Sequence, residues 1–404
     1  MPNDAMDAQR GHPYPLIALL VAMAGLGSLS LNILVPALPA IAERLQAEAG
    51  QAQLTVSLYL LGLAASQLLL GPLSDRLGRR PVVLAGLAIA TVASFAAIFA
   101  TTITGLILAR VAQALGASTG QVVGRAIIRD LYERERAASV LGLVTSAVVV
   151  IPMLGPLVGG ILDTAFGWES IFVLVAALSL AVLVWAALVL PETQPTAVAA
   201  SSPGRFMSDL RALASNPRFV GYALSGALGT APFYTFLGGA PYVMVNMMGR
   251  TSAEYGLWFA FTALWFMAGT YSVSRLAMRY GIDRMIWWGI VVTVIGTLIP
   301  VVLCLIDPKI GPMAVFLPQA IISYGNGLIL PTAIAGAVSI RPQVAGTAAG
   351  ITGFIQMAIG AAATQIVSHA LAGAATPLPM LLLMLGFGLA TGVGFLALVR
   401  RSTG

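Results

Sequence analysis

The sequence predicts an all-α membrane protein with twelve membrane-spanning helices arranged as two six-helix halves. Three observations predict it. Hydrophobic residues make up 58% of the 404-residue chain and charged residues only 9%, against roughly 25% charged in soluble domains. Apolar runs of about 20 residues, the length that crosses a bilayer as a helix, recur along the whole chain. The cations fall on alternate loops: with the amino terminus placed in the cytoplasm, seventeen arginines lie on that side, against Arg44, Arg250 and Lys309 on the other.

The runs place spans near 15–38, 53–72, 82–100, 103–124, 138–162 and 170–190, and then near 218–243, 254–276, 286–306, 312–338, 345–370 and 378–399. The first run has no small-residue cleavage site and leads straight into Pro36 and Pro39, so it reads as a retained span and not a secretory signal. Arg76, Arg79 and Arg80 follow the second span, and Arg125, Arg129, Arg134 and Arg136 separate the fourth from the fifth. This bias puts both termini in the cytoplasm and requires an even number of crossings. Between the sixth and seventh spans the chain turns polar, from Pro191-Glu192-Thr193 through Ser201-Ser202-Pro203-Gly204. The organisation is therefore an N-terminal six-helix bundle over 1–190, a cytoplasmic linker over 191–217 and a C-terminal bundle over 218–404. A weak repeat supports the halving. Arg76-Leu77-Gly78 with Arg80 just beyond corresponds to Arg279-Tyr280-Gly281 with Arg284 just beyond, each after its half's second span. Parallel repeats of this kind place a substrate site at the bilayer midplane between them.

Several function classes drop out. Cys304 is the single cysteine, and His12 and His369 are the only histidines, so neither a disulfide framework nor a metal-ligand cluster is available. No Walker-type loop, HExxH or Ser/His/Asp set occurs, so no cofactor and no enzymatic chemistry are expected. Topogenic arginines account for the net charge of +6, which needs no nucleic-acid partner. A channel subunit has no use for two internal halves.

The segment Gly71-Pro72-Leu73-Ser74-Asp75-Arg76-Leu77-Gly78-Arg79-Arg80-Pro81 packs a turn, an acid and three arginines into eleven residues. Topology needs the arginines but not Asp75 or the paired glycines. The segment resembles the loop motif of the major facilitator superfamily. Leu106, Arg110, Gln113 and Gly116 resemble that family's fourth-span motif, with Ala114 in place of a glycine, and Gly155, Pro156, Gly159 and Gly160 are similar to its antiporter motif. Pro36-Ala37-Leu38-Pro39, Arg125-Ala126-Ile127-Ile128-Arg129-Asp130 and Gly167-Trp168-Glu169-Ser170-Ile171-Phe172 look like the bicyclomycin/chloramphenicol-resistance branch of drug/proton antiporters. The resemblance covers most of the chain, more clearly the first half. It implies a secondary-active multidrug or antibiotic efflux transporter working by alternating access with proton coupling. It also implies a multi-pass protein of the bacterial inner membrane whose motif acid, Asp75, takes part in a cytoplasmic latch. Arg125 and Arg129 emerge beside Asp75, so the latch residues are read as Gly71, Asp75, Arg76, Gly78, Arg79 and Arg125.

One departure bears on energy coupling. The branch carries an acid in span one at the place of Asn32, and all fifteen acids of this chain fall in termini, loops or span edges. The remaining titrating candidates are Asp163 at the outer end of span five and His369 near the outer end of span eleven. The alternative is a solute exporter or facilitator of the same fold without protons. Asn32 and Arg110 lie at similar depths, roughly 10 Å in from one face at 1.5 Å per residue, and are expected to face one another. A lone intramembrane arginine biases the cavity against cations, so the small-molecule substrate is expected to be neutral or anionic. Polar and aromatic residues deep in spans complete the expected substrate cavity: Asn32, Tyr59, Arg110, Gln113, Tyr234, Phe236, Phe261, Trp265, Asn326 and Gln356. Membrane lipid is the expected surrounding and a monomer the expected state.

Overall fold

The computed structural model describes residues 13–194 and 203–400, and these are helical nearly throughout. α1 (Pro13–Asn32) passes through a 3-10 turn (Val35–Ala37) into the short α2 (Leu38–Arg44). The break falls at Pro36 and Pro39, which lack backbone donors; Pro39 opens α2, where the missing N–H costs nothing. α3 (Ala49–Leu77), α4 (Arg79–Ile98), α5 (Ile103–Leu131), α6 (Arg134–Phe166) and α7 (Glu169–Val189) complete the first half. After a short α8 (Pro203–Ala214), the second half comprises α9 (Pro217–Tyr242), α10 (Ser252–Tyr280), α11 (Ile282–Ile306), α12 (Pro312–Ser339), α13 (Ala345–Leu371) and α14 (Leu378–Phe395).

Each expected span corresponds to one long helix, except that the first runs on from α1 through the 3-10 turn to the start of α2. Nine stretches among the described residues are long and apolar enough to cross a membrane by length and composition. The long helices outside that set, α6, α9 and α10, have 33, 26 and 29 residues, ample for a hydrocarbon core of about 30 Å. α9 can be less apolar because other helices bury most of it. Its Ser225, Thr230 and Thr235 hydroxyls each donate to the carbonyl four residues back, which satisfies them without water. Large apolar side chains such as Leu69, Val92, Phe99, Leu108, Leu188 and Ile306 face outward around the bundle; that surface is fit for lipid and unfit for water.

Helices α3, α5 and α10 run four to seven residues past the expected span ends, to Leu77, Leu131 and Tyr280. All three extensions lie at the arginine-rich end, where the helical hydrogen bonding continues beyond the apolar run. The two repeated turns agree in backbone: Gly78 has φ 97° and Gly281 φ 79°, a region glycine enters without a Cβ penalty. Separate apolar cores hold each half. A further core joins them at the end opposite the arginines, where Leu31, Val35, Tyr59 and Leu63 pack with Leu237, Val243, Phe259 and Phe316.

Candidate transport site

A cavity of about 410 Å³ lies between the halves and adjoins a side chamber of about 130 Å³. Ser28 of α1, Gln121 of α5, Phe233 and Tyr234 of α9 and Met357 of α13 border both. The rest of the main wall includes Phe259 and Thr262 of α10, Ser323 and Asn326 of α12, and Gln356 of α13. The lining is mostly apolar with a few fixed polar groups, the usual make-up of a small-molecule site. Asn326 is buried, and its Oδ1 has no partner. Asn32 closes the side chamber: its Nδ2 donates to the Ser28 carbonyl at 2.8 Å, and its Oδ1 is left unpaired. The Tyr234 hydroxyl has only the Met357 Sδ, at 3.6 Å. Arg125, at the arginine-rich end, is the one charged residue in the described lining of the two chambers.

The opposite end is shut. Ser252 Oγ donates to the Pro36 carbonyl at 3.1 Å, the Ala253 amide donates to Thr164 Oγ1 at 3.3 Å, and Ser57 Oγ donates to Gln365 Oε1 at 3.0 Å. Gln365 Nε2 adds a bond to the Gly50 carbonyl at 3.1 Å. The glycine motif is built into this seam. A Cβ on Gly155 would lie 3.0 Å from Asn32 Cβ, and one on Gly159 would strike the Ile33 carbonyl; both positions let α6 lie against α1. Gly160 instead faces the other half, where a Cβ would meet the Ser252 carbonyl carbon at 2.8 Å. Gly256 of α10 answers it against the Pro156 carbonyl. One glycine face thus seats α1 and the next seats α10.

The sequence-predicted residues divide by location. Asn32, Tyr234, Asn326 and Gln356 border the chambers. Arg110 does not: it is 1% exposed inside the first half, with Nε donating to the Thr55 carbonyl at 3.3 Å and Nη1 to the Ser30 carbonyl at 2.9 Å and to Gln113 Oε1. Its guanidinium sits 4.0 Å over the Tyr59 ring, a cation–π contact that replaces a counter-ion. Tyr59 in turn donates to the Gly27 carbonyl, and Gln113 Nε2 to Ser94 Oγ at 2.7 Å. Arg110, Tyr59 and Gln113 therefore tie α1, α3, α4 and α5 together, and the expected face-to-face pair of Asn32 and Arg110 is not formed. Phe236 is buried against Phe316, Phe261 packs edge-on to Trp258, and Trp265 is 44% exposed on the outer surface. Phe233, Thr262, Ser323 and Met357 were missed. The available signal was adjacency, since Phe233 precedes Tyr234 and Met357 follows Gln356. Asp163 sits in the last turn of α6 beside Ser252, in a groove shared with Glu43, Arg44 and Glu169. His369 is exposed, with its ring against Gly50.

At the arginine-rich end the partner of Asp75 is not Arg125. Arg79 Nη1 reaches Asp75 at 2.5 Å and its Nε reaches Asp130 at 2.9 Å, so one buried guanidinium joins α3, α4 and α5. Arg79 lies four residues on from Asp75, across the Gly78 break between α3 and α4, whereas Arg125 donates to its own helix at the Gln121 carbonyl. Arg76 is exposed, and Gly71 has open space around it. The linker adds a clamp. The Glu192 carboxylate accepts from the backbone amides of Arg79 at 2.9 Å and Arg80 at 3.2 Å, capping the start of α4. Gln194 Nε2 donates to the Asp75 carbonyl, and Arg80 Nη2 to the Ala187 carbonyl at 2.8 Å. Partial burial raises the Glu192 pKa, but the amides of Gln194, Arg79, Arg80 and Thr193 outweigh it and hold the carboxyl below its ordinary value.

Two six-helix halves of membrane-crossing length, closed against each other at one end and enclosing a mixed cavity, define a membrane transporter. The chain belongs to the major facilitator superfamily, whose family description matches residues 20–364. Multidrug resistance protein D of Escherichia coli (strain K12) is 30% identical over 344 residues, covering 84% of this chain and 85% of that one. Multidrug resistance protein MdtL of Escherichia fergusonii is 35% identical over 226 residues, covering 56% and 57% of the two chains. Among solved structures, an inward-facing, unoccupied bacterial homolog of the human lysosomal transporter Spinster superposes with a TM-score of 0.72. It covers 96% of both chains at 16% identity and so shares the fold. The protein is thus a multi-pass membrane transporter and not an enzyme.

Proposed function

We propose that the chain is a secondary-active exporter of drugs or antibiotics that works by alternating access, as a monomer, in the bacterial inner membrane with both termini in the cytoplasm. The observation that carries this reading is the one-ended cavity: hydrogen bonds and a shared apolar core close one end, while the wall continues to Arg125 and Ile128 at the arginine-rich end. With the arginines inside, this is the inward-facing state. The N-terminal bundle, the 191–217 linker and the C-terminal bundle then act as two bodies rocking about the cavity. The direction of transport rests on relatives named for multidrug resistance.

The substrate is neutral or anionic in preference to cationic. Among the described residues the chambers offer amide and hydroxyl groups, no carboxylate and one arginine at the mouth, a field that repels cations. Arg125 carries this argument, since Arg110 is turned away into the first half.

Proton coupling rests on Asp163 and His369, both at the closed seam and not in the cavity. A second reading, export or facilitation without protons, is favoured by the amide of Asn32 at the side chamber, where no carboxylate or histidine stands among the described residues. The test is a panel of antibiotics against cells expressing the chain, repeated with the proton gradient collapsed, plus a permanently cationic dye beside a neutral antibiotic. Protection against neutral compounds that vanishes with the gradient supports the antiporter. Protection that persists supports the second reading. Preferential export of the cationic dye would sink the charge preference.

A further inference from the structure

A separate cavity of about 330 Å³ opens at the closed end, and it shares no lining residue with the central chambers. Both halves build it: Glu43 of α2 and Gln53 of α3 from the first, and Tyr242 of α9, Asn246 and Ser368 of α13 from the second. Its polarity has two fixed features. Glu43 contributes the only formal charge in the described lining. Gln53 is 3% exposed, and its Nε2 is a buried donor without a partner. A buried N–H that has lost water and gained nothing is an open position for an acceptor. Leu38, Pro241 and Leu371 supply apolar contact between these polar points. The volume falls in the range of small-molecule sites.

We propose that this outer cavity is a second ligand site that takes a small organic monocation bearing a carbonyl-type acceptor, and that occupancy holds the halves together at the outer end. The cation lies against the Glu43 carboxylate and the acceptor takes the Gln53 amide N–H. The class is opposite to that assigned to the central cavity, so an outer-site ligand is a brake and not cargo. The holding effect follows from the lining. A site made by both halves exists only while they are closed, so a ligand that binds there favours that state. Binding itself is independent of the export reading; only the holding effect rests on alternating access.

The probe is acetylcholine, a permanent monocation with one carbonyl, and the control is its neutral isostere 3,3-dimethylbutyl acetate. Binding is followed by calorimetry on the full-length chain in lipid nanodiscs. Saturable acetylcholine binding is expected, weaker by about tenfold or more for the isostere, for Glu43→Gln and for Gln53→Leu. Glu43 is exposed, so Glu43→Gln keeps the fold even if Gln53→Leu does not. Ser28→Trp, which fills the central cavity, leaves binding intact. No saturable binding, equal binding of the isostere, binding unchanged in Glu43→Gln, or loss in Ser28→Trp each overturns the site. The holding effect is read separately, as slower labelling of Ser28→Cys by a membrane-impermeant maleimide added from outside. Binding with unchanged labelling overturns the holding effect. No transport is measured, so failure of the export reading leaves the binding result readable.

Discussion

Gly160→Ala perturbs the seam with one methyl group. In the closed state the added Cβ meets the carbonyl carbon of Ser252 at 2.8 Å and Ala253 Cα at 3.0 Å. Both neighbours are backbone, so no side-chain rotation relieves the clash, and α10 must back away from α6. That movement pulls on Ser252 Oγ to Pro36 and on the Ala253 amide to Thr164, the bonds on the same turn. Overpacking of this kind costs about 1–3 kcal/mol, which shifts the closed-to-open ratio at this end by about 5–150-fold. The shift is measured in a Cys304→Ala background carrying Ser28→Cys, labelled in whole cells by an impermeant maleimide added outside. Gly160→Ala is expected to raise the labelling rate, and Gly386→Ala, where an added Cβ has nothing within 4 Å, to leave it unchanged. A parental rate in Gly160→Ala, or an equal rise in Gly386→Ala, refutes the reasoning.

Arg79→Gln removes both ion pairs of a guanidinium whose side chain is 8% exposed. Breaking a buried pair costs about 3–5 kcal/mol; with Asp75 29% exposed, the lower end is expected in detergent unfolding, and exposed Arg76→Gln should stay within about 0.5 kcal/mol. Glu192 has a depressed pKa, so its stabilisation is complete above the ordinary carboxylate value and is lost as pH falls through the depressed one. The protection factors of the Arg79 and Arg80 amides, taken relative to intrinsic exchange at each pH, should therefore fall below the usual carboxylate range in the parent and already be low at neutral pH in Glu192→Gln; pH-independent protection factors in the parent count against the clamp. Ser28→Trp should abolish antibiotic protection while the protein remains in the membrane, and full protection would place the transport path elsewhere.

The spans were legible because apolar length is a direct consequence of bilayer thickness, and the repeated turns because Gly78 and Gly281 adopt a backbone that favours glycine. The glycine motif was legible as a resemblance, but not that Gly159 lies against the end of α1 while its neighbour Gly160 lies against α10. What depth along a span does not reveal is the direction a side chain faces around it. Arg110 and Asn32 lie at matching depth, yet the guanidinium turns toward backbone carbonyls and Tyr59 inside its own half. Nor does depth reveal which cation meets Asp75 in this state: Arg79, at the start of α4 just beyond the Gly78 break, pairs with it, while Arg125 donates to its own helix. The Glu192 clamp depends on where the linker returns after α7, which no local pattern encodes.

The central claim is that substrate crosses through the cavity between the halves, and flux in proteoliposomes tests it most directly. A neutral antibiotic identified in the panel is loaded on one side, and tracer movement is followed with and without unlabelled compound on the other. The account predicts saturable flux, accelerated by compound on the opposite side and lost in Ser28→Trp. Flux that grows linearly with concentration and persists in Ser28→Trp would contradict it.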